Sequence, residues 1–256
     1  MKNCLDLAKS SKFNVQSPIG LMEDAYNELL TVPDLIGSAT ACTATFDRQT
    51  KLLYTANLGD SGWMVIRNGE ILAKSEAQCH FFNAPYQLAK VPKPRPGGIT
   101  DTPRKAHFQT VQCEVGDIII LATDGLFDNV YDQHVTALLK EFNFDQPSSF
   151  FGGNSASSLP DSENSESYES GGKSGTESES ESVESIESNR SEVLSLIMKS
   201  TAEKMVEYTR MRAHQQDYIS PFCAEYFKAS NGKRISGGKV DDITILISVV
   251  GPKKII

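Results

Sequence analysis

The 256-residue chain has no long apolar run, and this absence excludes several classes of protein. No stretch approaches the roughly 20 apolar residues that a membrane-spanning helix needs, so we expect no membrane span. The first 16 residues show neither the apolar core of a signal peptide nor an arginine-rich presequence. No segment is strongly basic, which argues against nucleic acid as a partner.

Paired cysteines and clustered histidines are also missing. The five cysteines are widely spaced, and no two have the spacing of a zinc site or a redox motif. We therefore expect reduced, structural thiols and an intracellular compartment. The four histidines show no ligand spacing. Ser38, Ser61 and Cys42 lack a nearby motif that would activate a nucleophile, so covalent catalysis has little support.

Residues 148–192 differ in composition from the rest of the chain. They hold ten acidic and two basic side chains, about a third of them are serine, and large apolar residues are almost absent. Such a segment buries too little surface to offset the loss of chain entropy, so we predict a disordered insert within one domain of residues 1–256. It is either a regulatory segment open to acidophilic kinases or a tolerated insertion in a surface loop.

The remaining sequence predicts an α+β fold. Ser17 and Pro18 are suited to the start of a helix, and Asn68-Gly69 is a strong hairpin signal. Residues 108–113 and 117–122 are expected to form a strand pair. The predicted helices are 17–30, 133–142 and 192–211, and the other predicted strands are 39–46, 51–57, 63–66, 71–72 and 243–250.

Acidic residues lie at the ends of these apolar strands, where they are costly unless a cation or hydrogen bonds compensate them. Asp124 and Asp128 follow one strand and share a face if the chain turns helical there, which favours a cation between them. The alternative is a helix cap and a solvated acid. Asp241 and Asp242 precede the last strand, with an Asx-type turn as the alternative. Clusters of oxygen ligands suit Mg²⁺ or Mn²⁺, and no cationic partner is expected nearby in sequence.

Asp60 is a third acidic point, in Asn57-Leu58-Gly59-Asp60-Ser61-Gly62, directly after a predicted strand. An ordinary turn is the alternative there. The four motifs together, in this order, closely resemble the type 2C metal-dependent serine/threonine protein phosphatases: 37–41, 56–62, 122–128 and 241–244. Three further segments resemble the mitochondrial PTC-seven-homologue branch of that family: 81–88, 217–222 and 237–239.

The resemblance implies two antiparallel sheets between helices, and an enzyme in which metal-activated water attacks phosphoserine or phosphothreonine. It implies Asp124 and Asp241 as ligands of a core pair of Mn²⁺ or Mg²⁺ ions. Asp60 and Asp128, with Asp124, would line a third metal position, and Asp242 would lie behind the ligands. Phosphorylated proteins are the expected partners, the mitochondrion is the implied location, and we expect a monomer.

The chain departs from the family pattern at its start. The family carries an upstream Asp-Gly-x-Gly-Gly whose Asp bridges two metals, but no Asp-Gly precedes Asp124-Gly125 here. The family's upstream phosphate-binding Arg has no counterpart either. We therefore expect Met1 to begin inside the family domain, after its first strands, so that 1–256 is a partial domain. The alternatives are a catalytically impaired pseudophosphatase that binds phosphoproteins, and a structural scaffold in which the Asp residues are dispensable.

Overall fold

The computed structural model describes residues 2–9, 13–91, 100–141 and 178–252. The helices are α1 Lys2–Ala8, α2 Pro18–Thr31, α3 Asp124–Phe127, α4 Asp132–Glu141, α5 Ser178–His214 and α6 Pro221–Ala229. The strands are β1 Gly37–Ala39, β2 Ala41–Asp47, β3 Leu52–Leu58, β4 Gly62–Arg67, β5 Glu70–Lys74, β6 Cys79–Phe81, β7 Ala84–Pro85, β8 Leu88–Lys90, β9 His107–Gln112, β10 Ile118–Ala122 and β11 Ile245–Val249.

Two antiparallel sheets form the centre of the fold. The larger has the strand order β11-β10-β4-β5 and the smaller the order β2-β3-β9, while β1 pairs with β8 and β6 with β7. The predicted α+β class is confirmed. The described helices include none long and apolar enough to cross a membrane.

Strand β4 is buried on both faces, and its alternating side chains show how the layers stack. Trp63 and Val65 belong to a cluster between the two sheets. Met64 and Ile66 belong to a second cluster, which the helices cover. Because successive side chains of a strand point to opposite faces, one apolar run supplies both layers. The result is a sandwich of helix, sheet, sheet and helix, as the resemblance implied.

Helices close both outer faces of the sandwich. Met22 of α2 packs in a cluster with Ala56 and Leu58 of β3. On the other side, Leu139 of α4 and Met205 of α5 are fully buried against the larger sheet. Each of these large apolar side chains contributes about 1.5–3 kcal/mol through its burial.

The predicted hairpin at Asn68-Gly69 is confirmed. It joins β4 to β5, and both turn residues have positive φ, 51° for Asn68 and 76° for Gly69. Glycine and asparagine adopt this backbone conformation more easily than other residues, which is why the dipeptide is informative.

The predicted pairing between residues 108–113 and 117–122 is wrong, although both strands exist. β9 pairs with β3, whereas β10 pairs with β4 and β11. The turn at Gly116 carries the chain from one sheet to the other, and the Gly116 N–H donates to the carbonyl of Val250, 2.8 Å away. A glycine turn between two apolar strands does not by itself indicate which partner each strand takes.

The predicted disordered range 148–192 also needs correction at its end. Helix α5 begins at Ser178 rather than at Glu192, so residues 178–192 are helical. Residues 148–177 lie outside the described residues, and disorder there stays a prediction. Glutamate is a good helix former, and a packed helix extends more easily than a new helix starts. The low content of apolar residues in 178–192 therefore does not prevent the helix from extending through them.

Candidate metal centre

Asp60 lies in the turn between β3 and β4, and close backbone contacts fix that turn. Gly59 has a φ of +98°, and a Cβ there would lie 2.5 Å from the Thr40 methyl carbon and 2.6 Å from the Tyr86 carbonyl oxygen. Only glycine fits this position. The hydroxyls of Thr40 and Ser61 hydrogen-bond at 2.7 Å. The first two sequence motifs therefore meet at one end of the sandwich.

Asp124 and Asp128 lie on one helical turn directly after β10. The Asp128 N–H donates to the Asp124 carbonyl over 2.8 Å, which closes the turn. Both carboxylates contact the same ammonium group, as described below, so the prediction that they share a face is confirmed. Because β10 is pinned between β4 and β11, the strand sets where this pair of acids lies.

The last motif reaches the same place through direct contacts between α3 and the segment before β11. The Thr123 hydroxyl donates to the Asp242 carbonyl over 2.8 Å and accepts from the Thr244 N–H over 3.0 Å. A Cβ on Gly125 would lie 2.5 Å from that same Asp242 carbonyl oxygen. The carboxylate of Asp242 is not used in these contacts, and Asp242 is exposed.

Asn129 and Gly238 hold Lys239 beside α3. The amide of Asn129 donates to the carbonyls of Gly125 (2.9 Å) and Lys239 (2.8 Å), and its oxygen accepts from the Lys239 N–H (2.7 Å). Asn129 is fully buried. A Cβ on Gly238 would lie 2.2 Å from the Arg212 carbonyl oxygen, so only glycine lets this segment approach α5 so closely.

The Lys239 ammonium lies where three carboxylates converge. Its Nζ is 2.7 Å from Asp124 Oδ2, 2.6 Å from Asp128 Oδ2 and 3.1 Å from Asp241 Oδ2. The expectation that no cation lies nearby in sequence is therefore wrong. Lys239 stands two residues before Asp241, a signal that was available in the sequence. Asn129 offered no such signal, because its role depends on contacts made across the fold.

The charges of this cluster are not balanced. Burial by itself lowers the pKa of Lys239, but hydrogen bonds to Asp124 and Asp128 outweigh it and raise the pKa above its ordinary value. Burial raises the pKa of Asp128. Burial, and then the negative charge of Asp124, raise the pKa of Asp60 to about 6. Asp60 thus lies within the field of the cluster without an ion pair of its own among the described residues.

The donors suit a hard divalent cation. Three carboxylates share one ammonium with Asp60 nearby, and carboxylate oxygens are the ligands that Mg²⁺ and Mn²⁺ prefer. In the described parts of the chain, no three His, Cys, Asp or Glu side chains are already arranged around a vacant metal position. Lys239 Nζ lies among three of these carboxylates. The residues fit a divalent cation if this ammonium moves aside.

Comparison with known proteins places the chain in a family. It is 34% identical over 253 residues to the zebrafish (Danio rerio) protein phosphatase PTC7 homolog, covering 98% of this chain and 68% of that one. The human PTC7 homolog is also 34% identical, covering 98% of this chain and 66% of the relative. The chain thus spans about two thirds of the length of these relatives. No family model matches the chain.

A solved structure agrees with this result at the level of the fold. The X-ray structure of the photosystem II phosphatase PBCP superposes with a TM-score of 0.66 at 22% identity, covering 97% of this chain and 76% of that chain. The chain belongs to the metal-dependent, type 2C class of serine/threonine protein phosphatases. Within that class, it is a member of the PTC7-homolog branch. Nothing in the comparisons favours the pseudophosphatase alternative.

Proposed function

We propose that this chain hydrolyses phosphoserine and phosphothreonine in phosphorylated proteins, with Mn²⁺ or Mg²⁺ held at the cluster described above. The observation that carries the proposal is the convergence of Asp124, Asp128 and Asp241 on one point from segments more than 110 residues apart. Like charges repel, so a fold that assembles them without matching positive charge indicates a cationic ligand.

In this proposal Asp124 and Asp241 hold two core cations, and Asp60 and Asp128 line a third position together with Asp124. When bound, the cations supply Lewis acidity for the phosphoryl oxygens and make a water acidic enough to attack phosphorus. Thr123 holds the Asp241 segment against α3, and Asn129 holds the Lys239 segment there. Asp242 supports the site through its backbone carbonyl.

We also propose, from the family resemblance, that the protein acts as a monomer and in the mitochondrion. These two points are separable from the chemistry. Size-exclusion chromatography with light scattering tests the first. A dimer mass at micromolar concentration would contradict it. Imaging of the tagged native gene product tests the second, and a signal that does not overlap a mitochondrial marker would contradict it.

Release of phosphate from a phosphothreonine peptide in Mn²⁺ tests the proposed activity. We expect slow turnover by the chain, because the upstream Asp-Gly motif and the phosphate-binding Arg have no counterpart in it. Asp241→Asn should lose a further factor of about 10²–10³ in rate, because one preorganised electrostatic contact at a reacting centre contributes that much. Asp24→Asn is the matched control, since Asp24 is exposed on α2 and its side chain makes no hydrogen bond or ion pair with the described residues.

Three outcomes separate the hypotheses. Turnover that is lost in Asp241→Asn and kept in Asp24→Asn supports the phosphatase. Binding of the phosphopeptide without turnover by the unaltered chain would favour the pseudophosphatase alternative. Equal turnover by the chain and by Asp241→Asn would remove Asp241 from the site.

A further inference from the structure

We propose that Lys239 is a built-in competitor of the divalent cations. Its ammonium holds the three carboxylates together when no metal is bound, and it withdraws when a cation enters. The inference rests on the proposed metal centre and assigns a role to a residue beside it. Lys239 would thereby set the metal concentration at which the enzyme switches from a closed acidic cluster to a loaded centre.

Lys239 contacts the same carboxylate oxygens that a divalent cation would use. Lys239 Nζ contacts the Oδ2 atoms of Asp124, Asp128 and Asp241 at 2.6–3.1 Å. A divalent cation bound by these three residues would need the same oxygens, at shorter distances. The ammonium and the cation therefore cannot both occupy the point of convergence, because two positive charges so close would repel strongly.

The Lys239 side chain can move away although the Lys239 backbone is held in place. Asn129 fixes the Lys239 backbone by hydrogen bonds on both sides. The four-carbon stem of lysine can still rotate. The ammonium already lies beside the Phe222 ring, whose centroid is 5.4 Å from Nζ, so a short movement away from the carboxylates can keep this contact. The face of an aromatic ring attracts an ammonium at such distances.

The charge of the Lys239 ammonium is linked to the affinity of the carboxylates for cations. One ammonium leaves the three contacted carboxylates with an excess of negative charge, to which Asp60 adds through space. The cluster therefore attracts further positive charge. Removing the ammonium should weaken the metal-free protein and strengthen metal binding, because a ligand stabilises most where its competitor is absent.

Calorimetric titration with Mn²⁺ tests the competition on the whole chain. We expect Lys239→Met to bind Mn²⁺ about tenfold or more tightly than the unaltered chain. Its thermal midpoint should be lower in EDTA, and should rise further on addition of Mn²⁺. Lys228→Met is the matched control, because Lys228 lies on the surface of α6 and, among the described residues, forms an ion pair with Glu225 alone. It should leave Mn²⁺ affinity unchanged. An affinity that is equal or weaker in Lys239→Met would overturn the proposal.

Labelling of amines provides a readout that needs no variant. The Lys239 side chain is only 18% exposed when it contacts the carboxylates. We expect its reaction with an acetylating reagent, followed by mass spectrometry, to rise several-fold from EDTA to saturating Mg²⁺. Lys228, at 70% exposure, should not change. Unchanged or reduced labelling of Lys239 would overturn the proposal.

The two experiments also separate this inference from the proposed function. If neither the chain nor Lys239→Met gives heat with Mn²⁺, the metal centre itself is wrong and the competition falls with it. If both bind Mn²⁺ equally well and the labelling of Lys239 is unchanged, the metal centre stands and only the role of Lys239 is overturned.

Discussion

The two ends of strands β4 and β10 carry charge in opposite ways. At one end, Arg67 of β4 forms a bidentate ion pair with Asp117, which precedes β10. Its Nε lies 2.9 Å from Asp117 Oδ1 and its Nη2 lies 2.8 Å from Asp117 Oδ2. At the other end, Asp60 precedes β4 and Asp124 follows β10, and Lys239 is the nearby cation. The same pair of strands thus presents a compensated end and an undercompensated end.

The compensated end is built for stability. Asp117 is almost fully buried and also accepts a hydrogen bond from the Glu114 N–H at 2.8 Å. The Nη1 atom of Arg67 also lies 2.7 Å from Oε1 of Glu114. A buried carboxylate is tolerated when its oxygens are all used, as they are here. Asp124, Asp128 and Asp241 at the other end share one ammonium and are partly exposed, which a ligand can exploit.

The largest effect on folding is expected at the compensated end. Asp117→Asn should lower the free energy of unfolding by about 3 kcal/mol, because it leaves the Arg67 guanidinium without its buried partner. Chemical denaturation measures this change. Glu114→Gln is the control and should cost less than about 1 kcal/mol, since Glu114 is 68% exposed. Equal costs for both would show that burial does not separate the two ion pairs.

The undercompensated end should respond to metal instead. At Mn²⁺ one hundred times above its dissociation constant, the chain should gain about 2.7 kcal/mol of stability. Asp124→Asn should lose most of this gain, whereas Asp117→Asn should retain it. Thermal unfolding with and without Mn²⁺ measures both. A full Mn²⁺ gain in Asp124→Asn would mean that the two ends do not differ in the way described.

Asp101 tests whether hydrogen bonds and ion pairs to a buried carboxylate, rather than its place in the fold, determine how much it stabilises the protein. Asp101 is buried and accepts hydrogen bonds from Lys105 (2.8 Å) and from the Gln87 N–H (3.0 Å), and it contacts His80 Nε2 (3.0 Å). Burial by itself raises the pKa of Asp101, but these bonds outweigh it and lower the pKa below its usual value. Asp101→Asn should therefore cost about 2 kcal/mol at pH 7.

The pH dependence of this cost follows from the direction of the pKa shift. A carboxyl with a lowered pKa stabilises the fold above the pKa of the unfolded chain, about 3.9, and loses that contribution as pH falls through the lower folded value. The difference between the chain and Asp101→Asn should therefore shrink below about pH 4. Denaturation at pH 7 and pH 3 measures it, and a difference that grows at pH 3 would contradict the assignment.

The smallest effect is expected for an exposed ion pair on the same sheet. Lys74 of β5 pairs with Asp132 at the start of α4, and both side chains are more than 40% exposed. Solvent screens such pairs, so Lys74→Met should change the free energy of unfolding by no more than about 0.5 kcal/mol. It should not alter the response to Mn²⁺. A larger loss, measured by denaturation, would show that surface charge matters more here than at the strand ends.

Local patterns in the sequence determined much of the fold. Alternating or continuous apolar runs predicted the strands of both sheets, and Asn68-Gly69 predicted the hairpin. The spacing of Asp124 and Asp128 predicted a shared face, because one helical turn brings residues four apart together. These features depend on neighbours within a few residues, so the sequence alone is sufficient to find them.

Only the tertiary structure decided the contacts between distant segments. It placed β9 and β10 in different sheets. It also brought Lys239 into contact with Asp124 and Asp128, which lie 115 and 111 residues away in sequence. Asn129 holds the Lys239 backbone there through a hydrogen bond. Such contacts depend on how the layers stack and on where glycines allow close approach. No local period in the sequence encodes them, because the energy that selects them comes from packing the whole sandwich.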